Sequence, residues 1–213
     1  FDGGLTMAFI SNGTTMLDAG AFSVSLGSMV HIKTLTASSS STLSFVHGSS
    51  SVVLDNTYPI YLFKFINMHP SVDNHIFEFQ GNASGGSGYN ETITSTSFRT
   101  YQNENGTSTA LEYTVNDDLA QGTDHQHLAN GVSNDNDGSL SGELYLFNPS
   151  STTFIKHFIA TVNFYEAAAS RMSVNHFTAG YFNTTSAIDE IQFRMASGNI
   201  DAGTFKLYGI KDS

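Results

Sequence analysis

The chain contains no cysteine and no tryptophan, only 3 prolines among 213 residues, and few charges, at 13% of positions. Each scarcity excludes something. Without cysteine there are no disulfides and no thiolate metal sites, so stability must come from burial and from assembly. No apolar run approaches the roughly 20 residues that a helix needs to span a bilayer, so membrane insertion by a helix is not expected. Only 8 basic residues stand against 19 acidic ones, a net charge of −11. Such a surface repels phosphate backbones and anionic lipids, which argues against nucleic-acid partners and against docking on acidic membranes. The Ala/Glu/Lys/Leu signature of helical proteins is missing as well.

What is present is bulk and neutral polarity. Seventeen Phe and nine Tyr carry an apolar share of 39%, while Ser, Thr, Asn and Gly supply the polar surface. Aromatic and β-branched residues suit a pleated, half-buried surface. A chain of this length folds readily as one large β-domain and can bury about 70% of its unfolded surface.

Alternation with a period of two recurs along the chain. In Ile188-Asp189-Glu190-Ile191-Gln192-Phe193-Arg194-Met195 the apolar residues break around polar ones, and Phe205 and Leu207 alternate with Lys206 and Tyr208. The segment Tyr58 to Ile66 is apolar on both faces apart from Lys64, which predicts a central strand or a strand at a subunit interface. Further strands are expected at His31–Leu35, Leu43–Val46, Asn74–Phe79, Tyr89–Thr94, Ser97–Tyr101, Leu111–Thr114, Glu143–Phe147, Thr153–Ala160 and His176–Phe182. Ala37 to Thr42 reads as a serine-rich connector, Gly81 to Gly88 as a flexible loop, and Glu166 to Arg171 as a single helical turn. Many short strands between turn signals predict an all-β, jelly-roll-like two-sheet antiparallel β-sandwich. Residues 1–30 (Phe1 to Val30), irregularly patterned, are expected to form an N-terminal arm or assembly segment in preference to a first hairpin of the domain, and residues 31–213 the sandwich. Phe1 in the first position leads us to expect a start that is processed, trimmed or incompletely seen.

No nucleophile elbow, phosphate loop or His-Glu-x-x-His pattern occurs, so no enzyme, catalytic residue or cofactor is expected. Ser133-Asn134-Asp135-Asn136-Asp137-Gly138 brushes against a calcium-loop pattern, but Leu144 stands where the bidentate Glu belongs, so a solvated acidic turn is the better expectation. Asp124-His125-Gln126-His127 could present two imidazoles on one strand face, yet spacing assigns no third ligand, and an exposed polar loop is expected rather than a metal site. Asp117-Asp118 and Asp189-Glu190 are adjacent carboxylates that a strand would split across its faces. Glycosylation patterns at Asn12, Asn82, Asn90, Asn105 and Asn183 arise readily from composition. The long interval Asn116 to Leu140 holds few apolar residues and is expected to be a functional loop.

Several segments in order carry a resemblance. They are Ile32-Lys33-Thr34-Leu35-Thr36-Ala37-Ser38, Tyr58 to Phe65, Ile66-Asn67-Met68-His69-Pro70, Leu140 to Ser150, His176-Phe177-Thr178-Ala179-Gly180-Tyr181, and the closing Leu207-Tyr208-Gly209-Ile210. Together they resemble jelly-roll modules of virion structural proteins from marine tailed bacteriophages, labelled tail fibre or particle-surface proteins. The resemblance covers about His31 to Ile210. It implies a sandwich assembled as a homo-oligomer, a trimer being favoured, on the surface of a virus particle beside other virion proteins. It transfers no functional residues. The functional expectation is a surface appendage, fibre or spike, that contacts a host glycan or receptor through Gly81–Gly88 and Asn116–Leu140, with Tyr89 and Tyr101 stacking on sugar rings. The alternative is a capsid decoration protein whose arm clamps neighbouring subunits. A carbohydrate-active enzyme or calcium-dependent lectin is a distant third.

Overall fold

The computed structural model describes residues 9–11, 14–18, 21–22, 28–166 and 171–211. Near the start, β1 (Phe9–Ser11), β2 (Thr14–Asp18) and β3 (Ala21–Phe22) form a small antiparallel sheet hydrogen-bonded in that order. The main domain opens with β4 (Met29–Ser40), β5 (Thr42–Val46), β6 (Ile60–Pro70), β7 (His75–Ala83), β8 (Ile93–Asn103), β9 (Thr109–Tyr113) and β10 (Ala120–Gly122). It continues with β11 (Gln126–Val132), β12 (Leu140–Phe147), β13 (Lys156–Glu166), β14 (Met172–Phe182), β15 (Ile188–Met195) and β16 (Ile200–Ile210). All described elements are strands, and every pairing is antiparallel.

Eight of these strands make the sandwich. One sheet runs β4-β16-β6-β12 and the other β5-β15-β7-β11. Counted 1 to 8 in chain order, those are sheets 1-8-3-6 and 2-7-4-5, the wrapped order of a jelly roll. Two insertions widen the first sheet. β13 adds to β12, β14 to β13, β8 to β14, and β9 and β10 both pair with β8. A single pairing, Val132 with Glu166, joins the two sheets at one corner.

Alternation explains the core. In β6 the inward residues Tyr61, Phe63 and Phe65 are buried, as are Phe77 and Phe79 in β7, Phe193 in β15 and Phe205 in β16. Phe193 sits at the centre, its ring within 6.3 Å of those of Phe45, Phe63, Phe65, Phe77, Phe79 and Phe205. Most of these meetings are edge-to-face or tilted, the arrangement aromatic quadrupoles favour. β6 is central, between β16 and β12, as its two apolar faces predict.

Two expectations about these elements need correction. The serine-rich stretch 37–42 is no connector: Ala37 to Ser40 continue β4 and Thr42 begins β5. β4 is the sheet's edge, so polar residues on it cost no burial. The interval Asn116–Leu140 is not one loop, because it contains β10 and the whole of β11, whose Gln126 and Leu128 are buried. Of the Glu166–Arg171 turn, Glu166 ends β13, Arg171 lies just before β14, and residues 167–170 fall outside the described residues.

The register separates two ends. Met29 pairs with Ile210 and Ile210 with Ile60, so the start of β4 and the end of β16 emerge together beside the loops at residues 47–59, 84–92 and 148–155. The opposite end carries the turns at 71–74, 104–108, 133–139 and 196–199.

Candidate functional site

The densest polar cluster lies where the β9–β10 crossover closes the side of the sandwich. Asp117, 4% exposed, accepts a hydrogen bond from Asn130 Nδ2 at 2.9 Å, and its Oδ1 meets His127 Nδ1 at 2.9 Å. The other face of the His127 ring looks toward Glu78, with Nε2 3.8 Å from Oε2, and Arg194 Nε donates to Glu78 Oε1 at 2.7 Å. On the inner side, His176 Nε2 lies 2.6 Å from Ser97 Oγ and 3.9 Å from Asp117 Oδ2. Gln126 locks the crossover: its Nε2 donates to the Asp117 carbonyl at 2.6 Å while its Oε1 accepts from Ser95 Oγ at 2.6 Å. The cluster thereby stitches β7, β8, β11, β14 and β15 to the crossover.

Electrostatics follow from burial and partners. Burial alone would raise the Asp117 carboxyl, but the hydrogen bonds from His127 and Asn130 and the charges of both histidines hold it below the usual carboxylate range. Burial pushes the His176 ring below the ordinary histidine value, against the pull of Asp117. His125 is lowered in the same way, by burial and then by the Arg194 charge.

Ser97, His176 and Asp117 have the composition of a nucleophile relay but not its geometry. In such a relay the carboxylate orients the ring through one nitrogen while the hydroxyl uses the other. Here Ser97 and Asp117 both approach Nε2, and Ser97 is completely buried. The adjoining cleft, about 130 Å³, is lined by Asn116, Asp117, Asp118, Leu119, Asp124, His125 and His127. Among the described residues no group of three or more His, Cys, Asp or Glu is arranged to hold a metal ion. The Asp124–His127 segment is thus no exposed loop: Gln126 is fully buried and His127 is tied between Asp117 and Glu78. Sequence reasoning named Asp117 and His127 separately but could not join them, and Ser97 and His176 gave no signal beyond their strand positions.

The remaining candidates fall out as follows. In Ser133–Gly138, Ser133 Oγ accepts from Asp135 N at 3.0 Å, Gly138 N donates to the Asp135 carbonyl at 2.7 Å, and Asp135 pairs with Arg171 at 2.6 Å. It is an acidic turn closed on itself at the end opposite the start of β4. Gly81 to Ala83 of the expected glycine loop belong to β7, and the rest turns at the terminal end. Tyr101 faces the core under Arg99, 5.5 Å from its ring centroid, so it is not a loop aromatic. Tyr89 is half-buried against the small sheet, its hydroxyl drawn toward Ser44 and Glu190. Asn82 is 3% exposed and donates to Glu190 at 2.8 Å, which removes it as a glycan acceptor. Glu190 pairs there, while Asp189 offers its carbonyl to His47 N.

The two outer sheet faces differ sharply. On the small sheet, outward positions carry Ser44, Gln192, Asn82, Glu190, Glu78 and Arg194, joined by hydrogen bonds. On the large sheet, outward positions include Phe98 stacked on Phe177, His157 against Tyr181, and Tyr145 beside Phe147. Ile159 is 51% exposed at its middle.

No protein-family model, no curated protein and no solved structure matches this chain.

Proposed function

We propose that the chain is a non-enzymatic structural module of a bacteriophage particle, a fibre or spike domain on the virion surface that contacts the host cell. The observation that carries this reading is the two-ended jelly roll. β4 and β16 enter and leave at one end, and the turns at 71–74, 104–108 and 133–139 crown the other. A domain held by one end presents the other to a partner, on a rigid scaffold that positions loops. The contact surface is therefore drawn at 133–139 and its neighbours rather than at Gly81–Gly88, which turns at the attachment end. A homo-oligomer, a trimer by the resemblance, alongside other virion proteins and a host glycan or receptor, completes the proposal. Alanine replacement of Asn134, Asn136 and Asp137 should lower binding to host cells without unfolding the domain. Unchanged binding would remove the host-contact role.

The second reading is a capsid decoration protein. The apolar outer face of the large sheet favours it, because decoration works by burying apolar surface against a shell. Removing residues 1–27 should then detach the protein from heads, and retained attachment would argue against a clamp.

A further inference from the structure

The outer face of the large sheet breaks the rule its opposite face obeys. Antiparallel sheets with one solvated side place polar residues outward. Cross-strand register defines rows running across seven strands, β8-β14-β13-β12-β6-β16-β4. One row reads Thr96, Ala179, Ile159, Tyr145, Leu62, Tyr208 and His31. The next, closer to the termini, adds Tyr181, His157, Phe147, Ile60, Ile210 and Met29. Toward the far end the corresponding row turns polar, with Thr100, Asn175, Asn163 and Ser141. The apolar half thus adjoins the end where β4 begins and β16 ends.

We propose that this half-face is a self-association surface, and that what covers it is further copies of this chain. Charge favours that occupant. Among the described residues neither apolar row contains a fixed charge; Lys64, Glu143 and Lys206 lie in the row beyond, and the first two of these pair at 3.0 Å. A chain of net charge −11 can meet itself over these uncharged rows without bringing its carboxylates together. Shape favours it too. A shallow recess of about 390 Å³ lies over Ala179, bounded by Thr94, Thr96, His157, Ile159 and Tyr181. Beside it Phe98, 42% exposed and stacked on Phe177, extends the apolar surface of the same face. Six strand spacings of about 4.8 Å by the two apolar rows, about 7 Å apart along the strands, give an apolar core of roughly 400 Å². That apolar core has the size of the largest patches on monomers, which are often functional, and a polar rim around it completes a contact of roughly 800 Å² per partner. The inference stands whether or not the chain comes from a virus particle.

Sedimentation of the full chain across a concentration series tests it. The native chain should associate, and Ile159→Asp should weaken association at least about 30-fold, as loss of a central interface residue does. Thr42→Asp, on the small sheet's outer face, should leave association unchanged. A second measurement does not depend on disruption. Because the chain lacks cysteine, Ile159→Cys provides a single thiol, which maleimide should modify slowly in concentrated solution and rapidly on dilution. A native chain that stays monomeric throughout would assign the face to a different partner and overturn the proposal. Association that survives Ile159→Asp in a folded variant, or a thiol equally reactive at both concentrations, would overturn it as well.

Discussion

Asp117 and His127 meet at 2.9 Å on the side of the sandwich, a nearly buried carboxylate holding a ring whose other nitrogen faces Glu78. The contact fastens the β9–β10 crossover to β11, and through Glu78 and Arg194 to the small sheet. It is a structural clasp built from groups that elsewhere do chemistry.

Removing one partner of a buried, hydrogen-bonded charge leaves the others unpaired. Asp117→Ala strands Asn130 Nδ2 and His127 Nδ1 together. The expected cost is about 3 kcal/mol, the lower end for breaking a buried pair because His127 keeps some solvent contact. Urea unfolding measures it. A loss under about 0.5 kcal/mol would mean the clasp is ornamental.

Acid should loosen the same region in two steps. The folded rings of His176 and His125 hold protons less readily than in the unfolded chain. Their contribution is complete above the ordinary histidine value near 6.5 and is lost as pH falls toward their lower folded values. Asp117 acts later: its depressed carboxyl contributes fully above about 4, and that contribution disappears as pH drops through the folded value. Glu166 works the other way, since burial raises it and its neutral-pH cost is relieved by acid. Melting temperature should therefore decline from pH 7 to 5 and again below 4. Replacing both His125 and His176 with Gln should flatten the first decline; an unaltered slope would refute this assignment.

The closing Leu207-Tyr208-Gly209-Ile210 has a packing reason for its glycine. A Cβ at Gly209 would lie 2.3 Å from the Tyr58 ring, which covers the strand there. Tyr58 in turn meets Tyr61 edge-on at 5.7 Å. Gly209→Val should displace the ring and cost about 2 kcal/mol, in the range of overpacked sites. Combined with Tyr58→Ala, the two losses should fall short of their sum. Full additivity would show that the ring and the glycine are independent.

Much of this fold is legible in the sequence wherever side chains alternate cleanly. Ile191, Phe193 and Met195 against Gln192 and Arg194 announce β15, and the run from Tyr58 to Ile66, apolar on both faces, announces β6 as a central strand. Legibility ends where burial is polar. β11 hides because Gln126 is buried through hydrogen bonds rather than through apolarity, and its strand therefore reads as loop. The end of β4 hides because an edge strand tolerates Ser38 to Ser40. The clasp is invisible for a further reason: Ser97, Asp117, His127 and His176 come from separate segments, and only the wrapped topology brings them together. The apolar rows of the large sheet share that origin. Ala179, Ile159 and Tyr145 are unremarkable within their own strands and form a patch only once register aligns them.

The virion assignment is tested most directly by placing the protein on particles. An antibody raised against the folded chain, imaged on intact phage by electron microscopy, should label tail or fibre tips. Label spread over the head would transfer the module to the decoration role and strip the turn at 133–139 of host contact. Particles bearing no label at all would contradict the account.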